Sequence, residues 1–211
     1  MLSLIDILGQ NRIIPIIVID RVEHAIPLAE TLLKSGFKVL EITLRTPCAL
    51  AAIEKINKVL PEAIVGAGTI IETKQFSQIK STGAKFAVSP GLSKALVFEA
   101  EKHNIPYLPG IATPSEALLA HQLKLKYLKF FPAESMGGIK TLRAIAETLP
   151  LHFCPTGGLH TDNFINYLHL PFVTCVGGSW ITPPKLIVKG SFNEIATQAK
   201  QAQKILKKTF S

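Results

Sequence analysis

Two ionisable side chains stand in runs that are otherwise apolar and have the period of a strand. The first is Lys129, in Tyr127-Leu128-Lys129-Phe130-Phe131-Pro132-Ala133-Glu134. Alternation sends Tyr127, Lys129 and Phe131 to one face, and Leu128 and Phe130 to the other. An ammonium on a buried face is costly unless the amine gives up its proton. A neutral amine between aromatic walls is a nucleophile for carbonyl carbons and forms a Schiff base. Taken alone, Lys129 also fits a lysine snorkelling from an edge strand. The second is Glu41, in Val39-Leu40-Glu41-Ile42-Thr43-Leu44-Arg45. Here Leu40, Ile42 and Leu44 form the apolar face, so Val39, Glu41, Thr43 and Arg45 are expected to face the interior together. A carboxyl group there needs a partner or a proton, and either suits acid–base work. An ion pair of Glu41 with Lys129 or Arg45 is the structural alternative. Arg45, at the mouth, is a candidate bidentate ligand for a carboxylate or phosphate.

Glycines mark a second kind of candidate site. Cys154-Pro155-Thr156-Gly157-Gly158 and Val176-Gly177-Gly178-Ser179-Trp180 each close an apolar run. Bare backbone N–H groups, the Ser179 hydroxyl and a following helix N-terminus can cradle an anion without a lysine. Tight turns alone would also use four glycines. Gly66-Ala67-Gly68-Thr69 offers close backbone approach to a ligand and a hydroxyl at Thr69. Val88-Ser89-Pro90-Gly91 and Leu108-Pro109-Gly110-Ile111 read as Pro-Gly turns that shape a pocket. The histidines are scattered and none pairs with a nucleophile at a strand end.

Apolar β-branched runs able to hold these groups begin near residues 13, 39, 63, 86, 107, 127, 152 and 173. Amphipathic stretches separate them, among them 22–35, 49–60, 93–103 and 141–149, and a short helix over 3–11 precedes the first run. Strand–helix alternation repeated eight times at this spacing predicts a (β/α)₈ barrel over residues 1–211, with no linker or low-complexity segment. An open doubly wound sheet usually has fewer strands and a Gly-rich first turn, and neither GxGxxG nor a Walker loop is present. In such a barrel the chemistry sits at the C-terminal ends of the strands. The glycine pairs then fall after the seventh and eighth strands, where these barrels hold phosphate.

Composition narrows the function classes. The chain is 47% hydrophobic and 18% charged, enough for a large core and low for disorder. No apolar run is long enough to span a bilayer, and the early Asp6 with no basic n-region argues against a signal peptide. Cys48, Cys154 and Cys175 are odd in number and widely spaced, so reduced thiols in a cytoplasmic protein are expected, without a metal site. The net charge of +8 is partly a solvated face at Lys200, Lys204, Lys207 and Lys208. It favours anionic metabolites over nucleic acid, for which no motif appears.

Through these motifs the sequence closely resembles the 2-keto-3-deoxy-6-phosphogluconate (KDPG) and 4-hydroxy-2-oxoglutarate (KHG) aldolases, class I aldolases of the Entner–Doudoroff pathway. The resemblance runs over nearly the whole chain. It rests on Val39–Thr46, Val65–Thr69, Val88–Gly91, Leu108–Ile111, Lys129–Glu134, Cys154–Gly158 and Gly177–Trp180. It implies a Schiff base at Lys129, proton shuttling by Glu41, and a pyruvate carboxylate held by Arg45 and Thr69. It implies phosphate at Gly157, Gly158, Gly177, Gly178 and Ser179, an aldehyde oriented by Thr156, and further substrate contacts at Pro90 and Phe131. It also implies a homotrimer and a reaction without metal or organic cofactor. An aldolase for the galactonate analogue is the alternative within the same superfamily, which these motifs separate less sharply. An isomerase or epimerase on the same barrel would keep Glu41 and the cradle, and a non-catalytic phosphate-metabolite sensor would need only the cradle.

Overall fold

The computed structural model describes residues 2–210. Nine parallel strand segments form the centre: β1 (Ile13–Ile17), β2 (Val39–Thr43), β3 (Ile64–Gly68), β4 (Ala87–Val88), β5 (Tyr107–Leu108), β6 (Gly110–Ile111), β7 (Tyr127–Phe130), β8 (His152–Pro155) and β9 (Val176–Gly178). One sheet has the order β5-β4-β3-β2-β1-β9, the other β6-β7-β8. Bridges Phe153↔Val173 and Thr156↔Gly177 join β8 to β9, and only Pro109 separates β5 from β6. The ring therefore closes with eight staves, as the run spacing predicts.

The fifth stave departs from its expectation. Pro109-Gly110 is an interruption rather than a terminal turn, because proline has no N–H for the ladder and the strand resumes at Gly110. The freed Pro109 carbonyl accepts from the Lys129 N–H at 2.8 Å. The last stave begins at Val176 rather than near 173, where Val173 makes only the bridge to Phe153.

Helices cover the outside through apolar stripes. The helix Ala25–Lys34 buries Ala25, Leu28, Ala29 and Leu32, a spacing of three and four. It stops at Gly36, whose φ of 90° lets Gly36 and Phe37 N–H groups reach back to Leu33 and Leu32. The helix Phe192–Phe210 buries Ile195, Ala199, Ala202 and Leu206 and exposes Lys200, Lys204, Lys207 and Lys208. Among the described residues no helix is long and apolar enough to cross a membrane.

Two apolar layers result. The larger lies between strands and helices and takes the outward residues, such as Leu40, Ile42, Leu128 and Phe130. The smaller is the barrel interior: Ile14, Val39, Phe86, Val88, Leu108, Cys154 and Cys175, closed by Ile7 and Leu8. Those last two belong to the N-terminal helix α1 (Leu4–Leu8), which starts at a capping box between Ser3 and Asp6. Inward parity continues up the strands into Glu41, Thr43 and Lys129, so the same period that fills the lower interior delivers the ionisable groups above it.

Candidate active site

Lys129 and Glu41 meet inside the barrel. Nζ lies 3.4 Å from Glu41 Oε1, although the residues are 88 positions apart. Lys129 is 7% exposed and Glu41 4%. Neither ion could be buried at this depth alone without a large desolvation cost, and each is the other's counter-charge. The alternative of a snorkelling edge lysine is removed: β7 is paired on both sides and Lys129 points inward. Phe131, half-buried, places its ring centroid 5.2 Å from Nζ, an aromatic wall on one side of the amine.

Glycine makes room for the carboxylate. A Cβ on Gly68 would stand 2.2 Å from Glu41 Oε1, and one on Gly66 would stand 2.4 Å from the Phe86 ring. The glycines of β3 thus admit protein side chains, where the sequence suggested room for a ligand. Just beyond, Thr69 has φ 63°. A β-branched residue in that conformation is strained, and such strain concentrates at functional positions.

Arg45 does not follow the expected alternation. The strand ends at Thr43, whose hydroxyl donates to Ile17 O at 3.1 Å, and Leu44 and Arg45 form a turn. Arg45 is exposed at the rim and not inside the barrel. The next residues are anchored: the Thr46 hydroxyl and the Cys48 thiol both donate to Ile19 O, at 2.5 and 3.2 Å. Pro90 is exposed on the same rim, and its carbonyl lies where a Gly110 Cβ would be, 2.3 Å away. Ser89 below it is fully buried and bonds Gly91 O and the Tyr107 hydroxyl, each at 2.6 Å. Burial pushes the Tyr107 phenol up to about 12, so it stays protonated.

The two glycine pairs differ from each other. Gly157 and Gly158 have φ of 98° and 79°, and their N–H groups follow a loop rather than a ladder. Gly177 and Gly178 are buried in β9. A Cβ on Gly177 would stand 2.3 Å from Thr156 Oγ1, and one on Gly178 2.8 Å from Ile13 Cγ2. These two are glycine because side chains occupy the space. Thr156 is itself buried, and its hydroxyl donates to Cys154 O at 3.3 Å. Ser179 is exposed, and the helix that follows β9 is the single 3₁₀ turn Ser179–Ile181. Beneath the pair of ions, Cys175 hydrogen-bonds Cys154, which with burial pushes the Cys175 thiol well up; all three cysteines are free. Among the described residues no group of three or more His, Cys, Asp or Glu is placed to hold a metal ion.

The structure thus brings Lys129, Glu41 and Phe131 together inside the mouth, buries Thr156 against Gly177 beyond the end of β8, and sets Arg45, Thr69, Pro90, Gly157, Gly158 and Ser179 around the rim. An inward amine beside an inward carboxylate at a barrel's C-terminal end is equipment for imine chemistry. Comparison with known proteins agrees. Residues 4–198 match the family model described as KDPG and KHG aldolase. The chain belongs to this aldolase family. It is 46% identical over 198 residues to the KHG/KDPG aldolase of Escherichia coli K12, covering 93% of each chain. It is 36% identical over 207 residues to the 2-dehydro-3-deoxy-phosphogluconate aldolase of Treponema pallidum, covering 98% of this chain and 99% of that one. Among solved structures, the KDPG aldolase of Legionella pneumophila, with pyruvate captured as a covalent carbinolamine, superposes with a TM-score of 0.92. It is 40% identical, with coverage of 95% and 98%. The protein is therefore a lyase on a TIM-barrel-like fold.

Several features of this aldolase's site carry no signal in single-sequence reading. The fit of Glu41 over Gly68 is one. Another is Glu134, which accepts a hydrogen bond from the Tyr167 hydroxyl. A third is Asn163, whose Nδ2 donates to Gly158 O at 3.2 Å.

Proposed function

We propose that the protein cleaves KDPG to pyruvate and glyceraldehyde 3-phosphate, and KHG to pyruvate and glyoxylate, through a Schiff base at Lys129. The observation that carries this is the buried Lys129–Glu41 pair at 3.4 Å. An amine must be unprotonated to attack, and Glu41 is the adjacent group that can take its proton. Nζ adds to the C2 ketone, and Glu41 returns its proton to the departing hydroxyl, so that loss of water leaves a protonated imine and a carboxylate. That imine draws the C3–C4 bonding electrons as the bond breaks, giving an enamine. Glu41, directly or through a water, takes the C4 hydroxyl proton and returns one to C3. Hydrolysis then frees pyruvate and the amine.

Arg45 and Thr69 at the rim are assigned to the pyruvate carboxylate, and Thr156 to the aldehyde end. The phosphate is assigned to Gly157, Gly158 and Ser179, with Gly177 and Gly178 shaping the floor. Pro90 and Phe131 line the walls. Remote binding of the phosphate orients the reacting bond. The capture of pyruvate by the Legionella relative supports the same covalent route. Incubation with pyruvate and borohydride should add one reduced pyruvyl group, and peptide mass spectrometry should find it on Lys129. No adduct, or one on another lysine, removes the assignment.

The assembly proposed is a cytoplasmic homotrimer. Exposed Ile71, in the loop after β3, and exposed Phe98 and Leu118, on the helices Lys94–Lys102 and Pro114–Gln122, supply apolar surface for subunit contact. Sedimentation should give three times the 22.9 kDa chain mass. Cell fractionation should place the lyase activity with the cytoplasm.

A further inference from the structure

Glu134 presents an exposed carboxylate beside loops assigned to an anionic substrate. A negative charge there calls for a reason, and its surroundings supply one. The chain leaving β7 is laced to the chain leaving β8: Ala133 N–H donates to Thr156 O at 2.8 Å, and Glu134 N–H to Gly157 O at 3.1 Å. The Glu134 stem then lies flat on Gly158, where a Cβ would stand 2.5 Å from Glu134 Cβ and 2.7 Å from Cγ. The carboxylate is held by the hydroxyl of Tyr167, from the short helix Phe164–Leu168. Tyr167 is only 1% exposed, so core packing fixes where that hydroxyl points. Burial and the adjacent carboxylate both push its phenol pKa up, which keeps it a donor. Gly138, at φ 60°, leaves space for the contact, since a Cβ there would lie 3.1 Å from the Tyr167 hydroxyl. Asn163 holds the other side of the loop through Gly158 O.

We propose that Glu134 and Tyr167 are positioning residues: the tie between them presses the Glu134 stem onto Gly158 and sets the Gly157–Gly158 loop for the phosphate end of the substrate. This rests on the assignment of that loop to phosphate, and it adds selectivity for the phosphorylated substrate as a property of two residues that need not touch it. The tie also joins the loop carrying the phosphate contact to the strand carrying Lys129, so that the spacing between them is fixed before substrate arrives.

The test compares both substrates in Tyr167→Phe and Glu134→Ala. Phenylalanine keeps the buried ring and removes only the hydroxyl. Glu134 is exposed, so alanine there leaves the core intact. Loss of one charge-assisted hydrogen bond corresponds to about a tenfold effect. The KM for KDPG should rise about tenfold in each variant. The KM for KHG and the exchange of pyruvate methyl protons with deuterated water should stay within about twofold. Glu134→Gln, which keeps an acceptor for the Tyr167 hydroxyl, should recover most of the affinity. A fall in melting temperature with an unchanged ratio of the two KM values reduces the tie to a structural staple and overturns the proposal, as does an equal rise for both substrates. Borohydride trapping of pyruvate on Lys129 in the unaltered protein is read separately. Its failure would remove the Schiff-base reading, whereas a changed KM ratio bears only on the tie.

Discussion

The two ends of the barrel interior are built from the same inward-facing parity and do opposite things. At the N-terminal end, Ile14, Val39, Phe86 and Leu108 meet Ile7 and Leu8 of α1, and the result is a sealed apolar plug. Two residues further along β2 and β7, the same parity places Glu41 and Lys129. The lower end tolerates no ion because nothing there can answer one. The upper end holds two because each neutralises the other and Gly68 vacates the volume the carboxylate needs. Height along the strand, and not the face, separates packing from chemistry in this molecule.

Breaking the upper end at Lys129, the proposed nucleophile, should have the largest effect. Lys129→Met should abolish turnover and borohydride trapping together. It also leaves Glu41 buried without its cation, so stability should fall by about 3–5 kcal/mol in chemical denaturation, the usual penalty for half of a buried pair. Circular dichroism should still show the barrel. Residual trapping in this variant would move the Schiff base to another lysine.

Glu41→Gln removes the charge but keeps the shape over Gly68. Imine formation with pyruvate should persist while later steps slow. Cleavage and the exchange of pyruvate methyl protons should fall in parallel, by about 10²–10⁴-fold. Exchange at the unaltered rate would leave Glu41 a structural partner of Lys129 alone.

At the rim, Gly158→Ala tests the backbone half of the site. Its φ of 79° strains any side chain, and the new Cβ must displace the Glu134 stem. KDPG affinity should fall about tenfold, on the scale of one lost hydrogen bond, and KHG affinity much less. Aspartate at 158 would add charge to the same displacement and confuse the two causes, so alanine is the sharper variant.

How much of this could be read in advance follows from where the information lies. Parity is local: the alternation around Lys129 and Glu41 is carried by five to seven consecutive residues, and the structure agrees with it. The end of that alternation is not local. The pattern Val39, Glu41, Thr43 continues to Arg45 and predicts it inside, yet the strand stops at Thr43 and the chain turns. The stopping point depends on the neighbouring strand, where β3 ends at Gly68 and its carbonyl takes the last ladder bond from Leu44 N–H at 2.8 Å. Glycines were visible as glycines, but their partners were not. Gly68 serves Glu41, Gly177 serves Thr156, and Gly158 serves Glu134, all across strand or loop boundaries. Tyr167 and Glu134, 33 residues apart, meet only because the barrel closes. The apolar stripes of the helices needed no such closure, which is why the outer layer follows the expected periods closely.

The smallest effect on activity should come from the opposite end. Ile7 is fully buried against the lower interior, on a five-residue helix that would not persist without that contact. Ile7→Ala removes apolar volume from the plug and leaves a cavity that the closed ring of strands cannot easily collapse. Loss of such a side chain typically costs about 2–5 kcal/mol, so the denaturation midpoint should drop clearly. Ile7 itself is separated from Lys129 and Glu41 by the inward layer carrying Val39 and Tyr127. At a temperature where the variant is folded, kcat and KM for both substrates should therefore stay within about twofold. A large change in kcat at full folding would mean that the lower layers set the height of Lys129 and Glu41, and that the sealed end does more than support them.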